Sequence, residues 1–142
     1  MTSRRLVVLL ALLSGTSTVA TLLTPLLAPR WPLLLAGLSP RAPFLLLAAG
    51  RTPLPVFVLV ATARLVVADP LHYALGRRHG ASRVPRWVQR AVGVGGLAVV
   101  ALKPNGPVLA TAGASNLRWR WVLLADVAGT VAYVLTLHTV AA

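Results

Sequence analysis

The chain has 142 residues, of which 57% are hydrophobic and only 11% charged, whereas a soluble domain carries about 25% charged residues to solvate its surface. Fourteen Lys and Arg stand against two acids, Asp69 and Asp126, for a formal net charge of +12. A water-soluble globule is excluded by this balance, and zero cysteines exclude disulfide frameworks, thiolate metal sites and thiol catalysis. Thirteen of the cations are Arg, a residue that grips oxyanions in two places and that also accumulates in GC-rich genomes.

A spanning helix needs ~20 apolar residues, and residues 6–28, 53–75 and 121–142 supply three such runs. The first has a second reading: Arg4-Arg5, the apolar run behind them and the small residues 17–20 also fit a cleavable signal peptide. Because apolar sequence continues to Ala28, an uncleaved span is preferred. Two further apolar stretches, 31–50 and 92–116, are broken near their middles by Ser39-Pro40-Arg41-Ala42-Pro43 and Lys103-Pro104-Asn105-Gly106-Pro107. Arms of about 7 to 11 residues cover a third to a half of the bilayer. They read as re-entrant hairpins whose tips share an internal site, since irregular backbone survives at membrane depth only where protein or a polar cavity satisfies it.

Charge placement orients the layout. Arg4, Arg5, Arg77, Arg78, Arg83, Arg86, Arg90, Arg118 and Arg120 all fall on one side, which the positive-inside bias makes the cytoplasm; residues 76–91 form a basic cytoplasmic loop. Arg30 and Arg51 flank the opposite side. The expected fold is an all-α integral membrane protein, in which three transmembrane helices and two re-entrant helical hairpins form an inverted repeat within a single membrane domain. The N terminus is expected in the cytoplasm and the C terminus outside. Likeness of residues 38–43 to 102–107, and of 65–69 to 122–126, points the same way.

Charges at bilayer depth are costly and mark function by default. Arg64 lies near the middle of the second span, and Arg41 and Lys103 sit at the hairpin tips, where three cations and frayed helix ends favour an anion. Each also has a structural reading, as partner to a carboxylate or carbonyl or as an interfacial charge. Asp69 before Pro70 reads as a helix N-cap with Pro at the first helical position, or as a group that handles protons or substrate. From there His72, Tyr73, Gly76 and Gly80 share one face, and the two glycines permit close helix approach, which leaves room for a homo-oligomer. Asp126 is the other carboxylate able to carry a proton or to pair with Arg64, Arg41 or Lys103. The three histidines lack metal-ligand spacing, no catalytic constellation is present, and the basic loop fits anionic lipid better than nucleic acid. No enzyme activity, cofactor, metal or nucleic-acid partner is expected.

The run Asp69-Pro70-Leu71-His72-Tyr73-Ala74-Leu75-Gly76-Arg77-Arg78-His79-Gly80 resembles the signature of the DedA membrane proteins, also called the VTT or SNARE-associated family. Asp69, Tyr73, Gly76, Arg77 and Gly80 match in identity and spacing, and Ala68 replaces the usual leading glycine. The segment from Pro104 through Ala112-Gly113-Ala114-Ser115 to Arg118-Trp119-Arg120-Trp121 is similar to the family's other signature region. The resemblance implies a transporter-like fold in a bacterial cytoplasmic membrane that moves or scrambles a lipid phosphate such as undecaprenyl phosphate. Arg41, Arg64, Lys103, Asn105 and Arg77 are then the expected headgroup contacts. Two departures stand out: the glutamate usual in the first hairpin is replaced by Arg41-Ala42-Pro43, and the arginine usual in the second by Asn105. They favour a divergent activity, or a noncatalytic scaffold or partner subunit that retains the fold.

Overall fold

The computed structural model describes residues 3–79, 86–102 and 105–141. Every regular element among them is helical: α1 (Ser3–Leu22), α2 (Thr24–Leu27), α3 (Pro32–Leu38), α4 (Ala42–Ala49), α5 (Leu54–Val66), α6 (Asp69–His79), α7 (Arg86–Leu102), α8 (Gly106–Ala114) and α9 (Trp119–Ala141). Three stretches are long and apolar enough to cross a membrane: Arg4–Leu22, Leu54–His79 and Trp119–Ala141. At ~1.5 Å per residue each reaches roughly the ~30 Å of a hydrocarbon core or beyond.

The first helix ends earlier than the apolar run does. Pro25 lacks the N–H that would continue the ladder and instead starts the short α2. The second stretch extends past residue 75, because Arg77, Arg78 and His79 fill the last turn of α6, where cations favour the helix dipole. The expected 76–91 loop is thus helical at both ends, with residues 80–85, and hence Gly80, outside the described part.

Proline punctuates the broken stretches. Ser39 and Arg41 are extended, at φ −140°, ψ 111° and φ −80°, ψ 143°, and Pro43 lies in the first turn of α4, where its missing donor costs nothing. The facing arms pack together, α3 on α4 and α7 on α8. The second break follows Leu102, and Lys103 and Pro104 lie outside the described residues. One expectation changes here: α7 has 17 residues, about 25 Å of helix, far more than a short arm, because helix already begins at Arg86.

The chain divides into two compact units. One comprises residues 10–67 and 131–142. In it Ala36, Leu45, Ala48, Ala49, Phe57, Ala61 and Val134 form a core, while Ala20, Leu27, Leu35 and Phe44 form a second cluster. The other comprises residues 1–9 and 68–130, with Tyr73, Val100, Leu109, Ala112 and Val122 at its centre. Both units therefore contain a helical hairpin, one part of the 54–79 stretch and one part of α9, and the first also holds most of α1 and all of α2.

Within residues 68–130 the helix axes come unusually close. A Cβ on Gly76 would overlap the Ala110 carbonyl, and one on Gly113 would overlap the Tyr73 carbonyl. The absence of side chains at these positions is what allows α6 and α8 to pack backbone to backbone. Gly129 of α9 lies in the same manner on Ala101 of α7.

Candidate functional site

The first hairpin tip is organised by Arg64. Its Nε donates to the Gly37 carbonyl at 2.9 Å, and its Nη2 faces the Leu38 carbonyl at 3.1 Å, Thr16 Oγ1 at 3.0 Å and the Leu13 carbonyl at 3.3 Å. Gly37 and Leu38 close α3, where the last carbonyls have no helical donor. The guanidinium thus caps α3 and ties it to α1. Arg41, at the tip, is exposed and donates from Nη1 to Thr21 Oγ1 at 3.0 Å. Two of the expected headgroup contacts, Arg64 and Arg41, are therefore each engaged with a hydroxyl of α1, Thr16 and Thr21. Beside them Ser39 is buried and its hydroxyl has no partner among the described residues.

Sequence reasoning assigned Arg30 and Arg51 only a flanking role. In the structure they line a cleft of about 720 Å³ with Trp31, Leu33, Leu34, Gly37 and Val60. Arg51 Nη1 reaches the Ala28 carbonyl at 3.4 Å, linking the turn before α3 to the turn before α5. Two cations and an amphipathic ring thus lie alongside an apolar wall. The available signal was that these two cations bracket the first hairpin on the side otherwise poor in charge.

Arg77 lines a second cleft, of about 420 Å³, with Tyr73, Asn116, Leu117, Arg118, Trp119 and Arg120. Its wall follows from how α8 ends. Asn116 takes a left-handed φ of 55°, which asparagine tolerates. The Leu117 N–H then reaches back to the Ala112 carbonyl at 3.2 Å, as in a Schellman stop. The Tyr73 hydroxyl donates to the Leu117 carbonyl, and its ring lies against Trp119 at a centroid distance of 4.8 Å. Tyr73 therefore anchors the segment that presents Arg118 and Arg120 near Arg77.

Asn105 is engaged locally. Its side-chain oxygen accepts from the Val108 N–H at 3.0 Å, capping α8. Asn105→Ala should lower stability by about 1 kcal/mol, the usual cost of losing an N-cap, and Asn105→Ser should recover most of it. Thermal unfolding in detergent checks the ordering. Against the same turn lies His72: its Nδ1 donates to the Ala68 carbonyl at 2.9 Å, and a Cβ on Gly106 would come within 2.7 Å of its Nε2 edge.

Asp69 differs from its N-cap expectation. The Ala68 carbonyl accepts the first helical bonds, from Leu71 and His72 N–H groups at 3.1 Å, so Ala68 is the cap and Asp69 the first helical residue. The Asp69 side chain is turned inward to Asp126 of α9, and the two carboxyl groups act directly on one another. The cationic partners expected for these acids are not found among the described residues. The desolvated helix crossing places acid against acid, while Arg64 satisfies carbonyls.

No family model matches the chain, and no match is found among curated proteins or solved structures.

Proposed function

We propose that the chain is a membrane transporter of the DedA type that translocates or scrambles a lipid phosphate, such as undecaprenyl phosphate, in a bacterial cytoplasmic membrane. The observation that carries this reading is the cleft of Arg30, Arg51 and Trp31 over Leu33, Leu34 and Val60. Its chemistry suits an amphiphile: guanidinium groups for phosphate oxygens, an indole for the interface and an apolar wall for an acyl or prenyl chain. The cleft of Arg77, Arg118 and Arg120 offers the same headgroup chemistry in the other unit. That both units combine a hairpin with parts of the same two long helices supports the reading as a repeat of re-entrant hairpin plus span.

The test uses purified protein in vesicles carrying a fluorescent phosphatidic acid, with transfer between leaflets read by quenching of the outer label. Arg30→Gln with Arg51→Gln should slow transfer about tenfold or more, since losing one charge-assisted contact costs ~1.5–3 kcal/mol and 1.4 kcal/mol is tenfold. Helical content should be unchanged, because both side chains are exposed. Transfer at the wild-type rate by the folded double variant would remove the basis of the assignment.

A noncatalytic scaffold remains the second reading. It is favoured by Asn105, whose side-chain oxygen caps α8 where the resembled family carries an arginine. Wild-type protein inert toward every lipid and copurifying with one fixed partner would decide for it.

A further inference from the structure

The only two acidic side chains of a chain with 14 cations face each other. Both lie within residues 68–130, where Asp69 is 7% exposed and Asp126 0%. Val122 and Ala125 of α9 pack in one cluster with Tyr73 of α6, which brings the two carboxyl groups within interaction range, and neither oxygen of Asp126 has a hydrogen-bond partner among the described residues.

Among the described residues, the surrounding elements supply no counter-charge. On α6, His72 donates to the Ala68 carbonyl and the Tyr73 hydroxyl to the Leu117 carbonyl. α8 carries no titratable residue, and the described side chains of α7 from Gly95 to Leu102 are Gly, Leu, Ala and Val. Arg77 and Arg120 are exposed, about 12 Å and 9 Å along their helices from Asp69 and Asp126 at ~1.5 Å per residue. Arg4 and Arg5, at the start of α1, are exposed as well. An unpaired buried carboxylate is strongly disfavoured, and a second one against it adds repulsion that water cannot screen. A single proton relieves both.

We propose that Asp69 and Asp126 form a proton-binding pair, one carboxylic acid donating its O–H to the facing carboxylate. Uptake converts one carboxylate and one H⁺ into the acid and closes an O–H···O bond between α6 and α9. Release leaves two like charges in contact and drives the first turn of α6 away from α9. That first turn directly follows the Val67–Ala68 interruption of the 54–79 stretch, where the chain lacks a continuous helical ladder to resist the movement. Coupling of this proton to substrate movement rests on the transport reading above; the proton site itself does not.

Infrared spectroscopy of the full chain in lipid vesicles at neutral pH tests it, with and without ¹³C at the aspartate side-chain carboxyl. Because the chain has no glutamate and no third aspartate, any protonated side-chain carboxyl band comes from this pair. The expected result is a carboxylic-acid C=O band that moves on ¹³C labelling and is lost or shifted in both Asp69→Asn and Asp126→Asn. The absence of a label-sensitive band in the wild type overturns the proposal without recourse to any variant. So does a band that either folded variant leaves unmoved, since the proton would then reside on one residue alone. Lipid transfer plays no part in this readout, so a failed transport reading and a failed proton site are told apart.

Discussion

Gly76→Ala is expected to destabilise the protein sharply, lowering its thermal unfolding midpoint in detergent far more than an ordinary helix substitution. The added Cβ would overlap the Ala110 carbonyl, which belongs to backbone and cannot rotate away. Forcing extra volume into such a contact costs about 1–3 kcal/mol where side chains can adjust, and a rigid helix backbone puts the cost at the upper end or above. Gly113→Ala meets the Tyr73 carbonyl from the opposite helix, and the double variant should lose the α6–α8 pairing altogether. Gly15→Ala is the control: nothing lies within 4 Å of its Cβ, and the better helix propensity of alanine, by about 1 kcal/mol, should leave stability unchanged or improved. Equal midpoints for Gly76→Ala and Gly15→Ala would show that α6 and α8 do not meet as described.

The same crossing shows what sequence can and cannot convey. The helix breaks at Pro40 and Pro70 were readable because proline constrains the backbone whatever packs around it, whereas the break at Pro25 was passed over because it lies inside an unbroken apolar run. The closeness of Gly76 to a neighbouring helix was readable as a permission, since glycine on an inward face allows approach, but the partner, Ala110, was not, because nothing singles it out among the three alanines of α8. The length of α7 was misjudged for a related reason. Its polar first turns contain no helix breaker, and apolar count alone under-measures a helix that starts in a polar segment.

Charge partners were the least readable feature. With fourteen cations and two acids, pairing each acid with a buried arginine is the natural electrostatic expectation, yet helix-end carbonyls compete for the same guanidinium. Residues 37 and 38 end a helix inside the protein, so their carbonyls require donors wherever the acids lie. Arg64 serves both, with the Thr16 hydroxyl as a second, longer donor to Leu38. Arg64 is thereby allocated to carbonyls, while Asp69 and Asp126, in the other compact unit, interact with each other. Arg30 and Arg51 went unrecognised because a cleft is formed by the two turns that precede α3 and α5, and their proximity is a tertiary fact.

Arg64→Met follows from that allocation and is expected to be the most damaging change in the hairpin. Its guanidinium contacts the carbonyls of Gly37, Leu38 and Leu13 and the Thr16 hydroxyl. Nη2 serves three of them with two N–H bonds. Methionine preserves much of the apolar stem but leaves the half-buried Gly37 carbonyl without its donor and the Leu38 carbonyl with only the Thr16 hydroxyl, at 3.3 Å; at about 1–3 kcal/mol for an acceptor left unsatisfied, a loss of about 2 kcal/mol is expected. Arg64→Lys should fall between wild type and Met, because an ammonium keeps the charge but donates from a single point and cannot span acceptors on α1 and α3 together. Arg41→Met should cost little, since Arg41 is exposed and makes one hydrogen bond, to Thr21. Thermal unfolding midpoints in the order wild type, Arg41→Met, Arg64→Lys, Arg64→Met check the assignment. A folded Arg64→Met protein as stable as wild type but deficient in lipid transfer would reverse it, making Arg64 a headgroup ligand rather than the cap that holds the hairpin to α1.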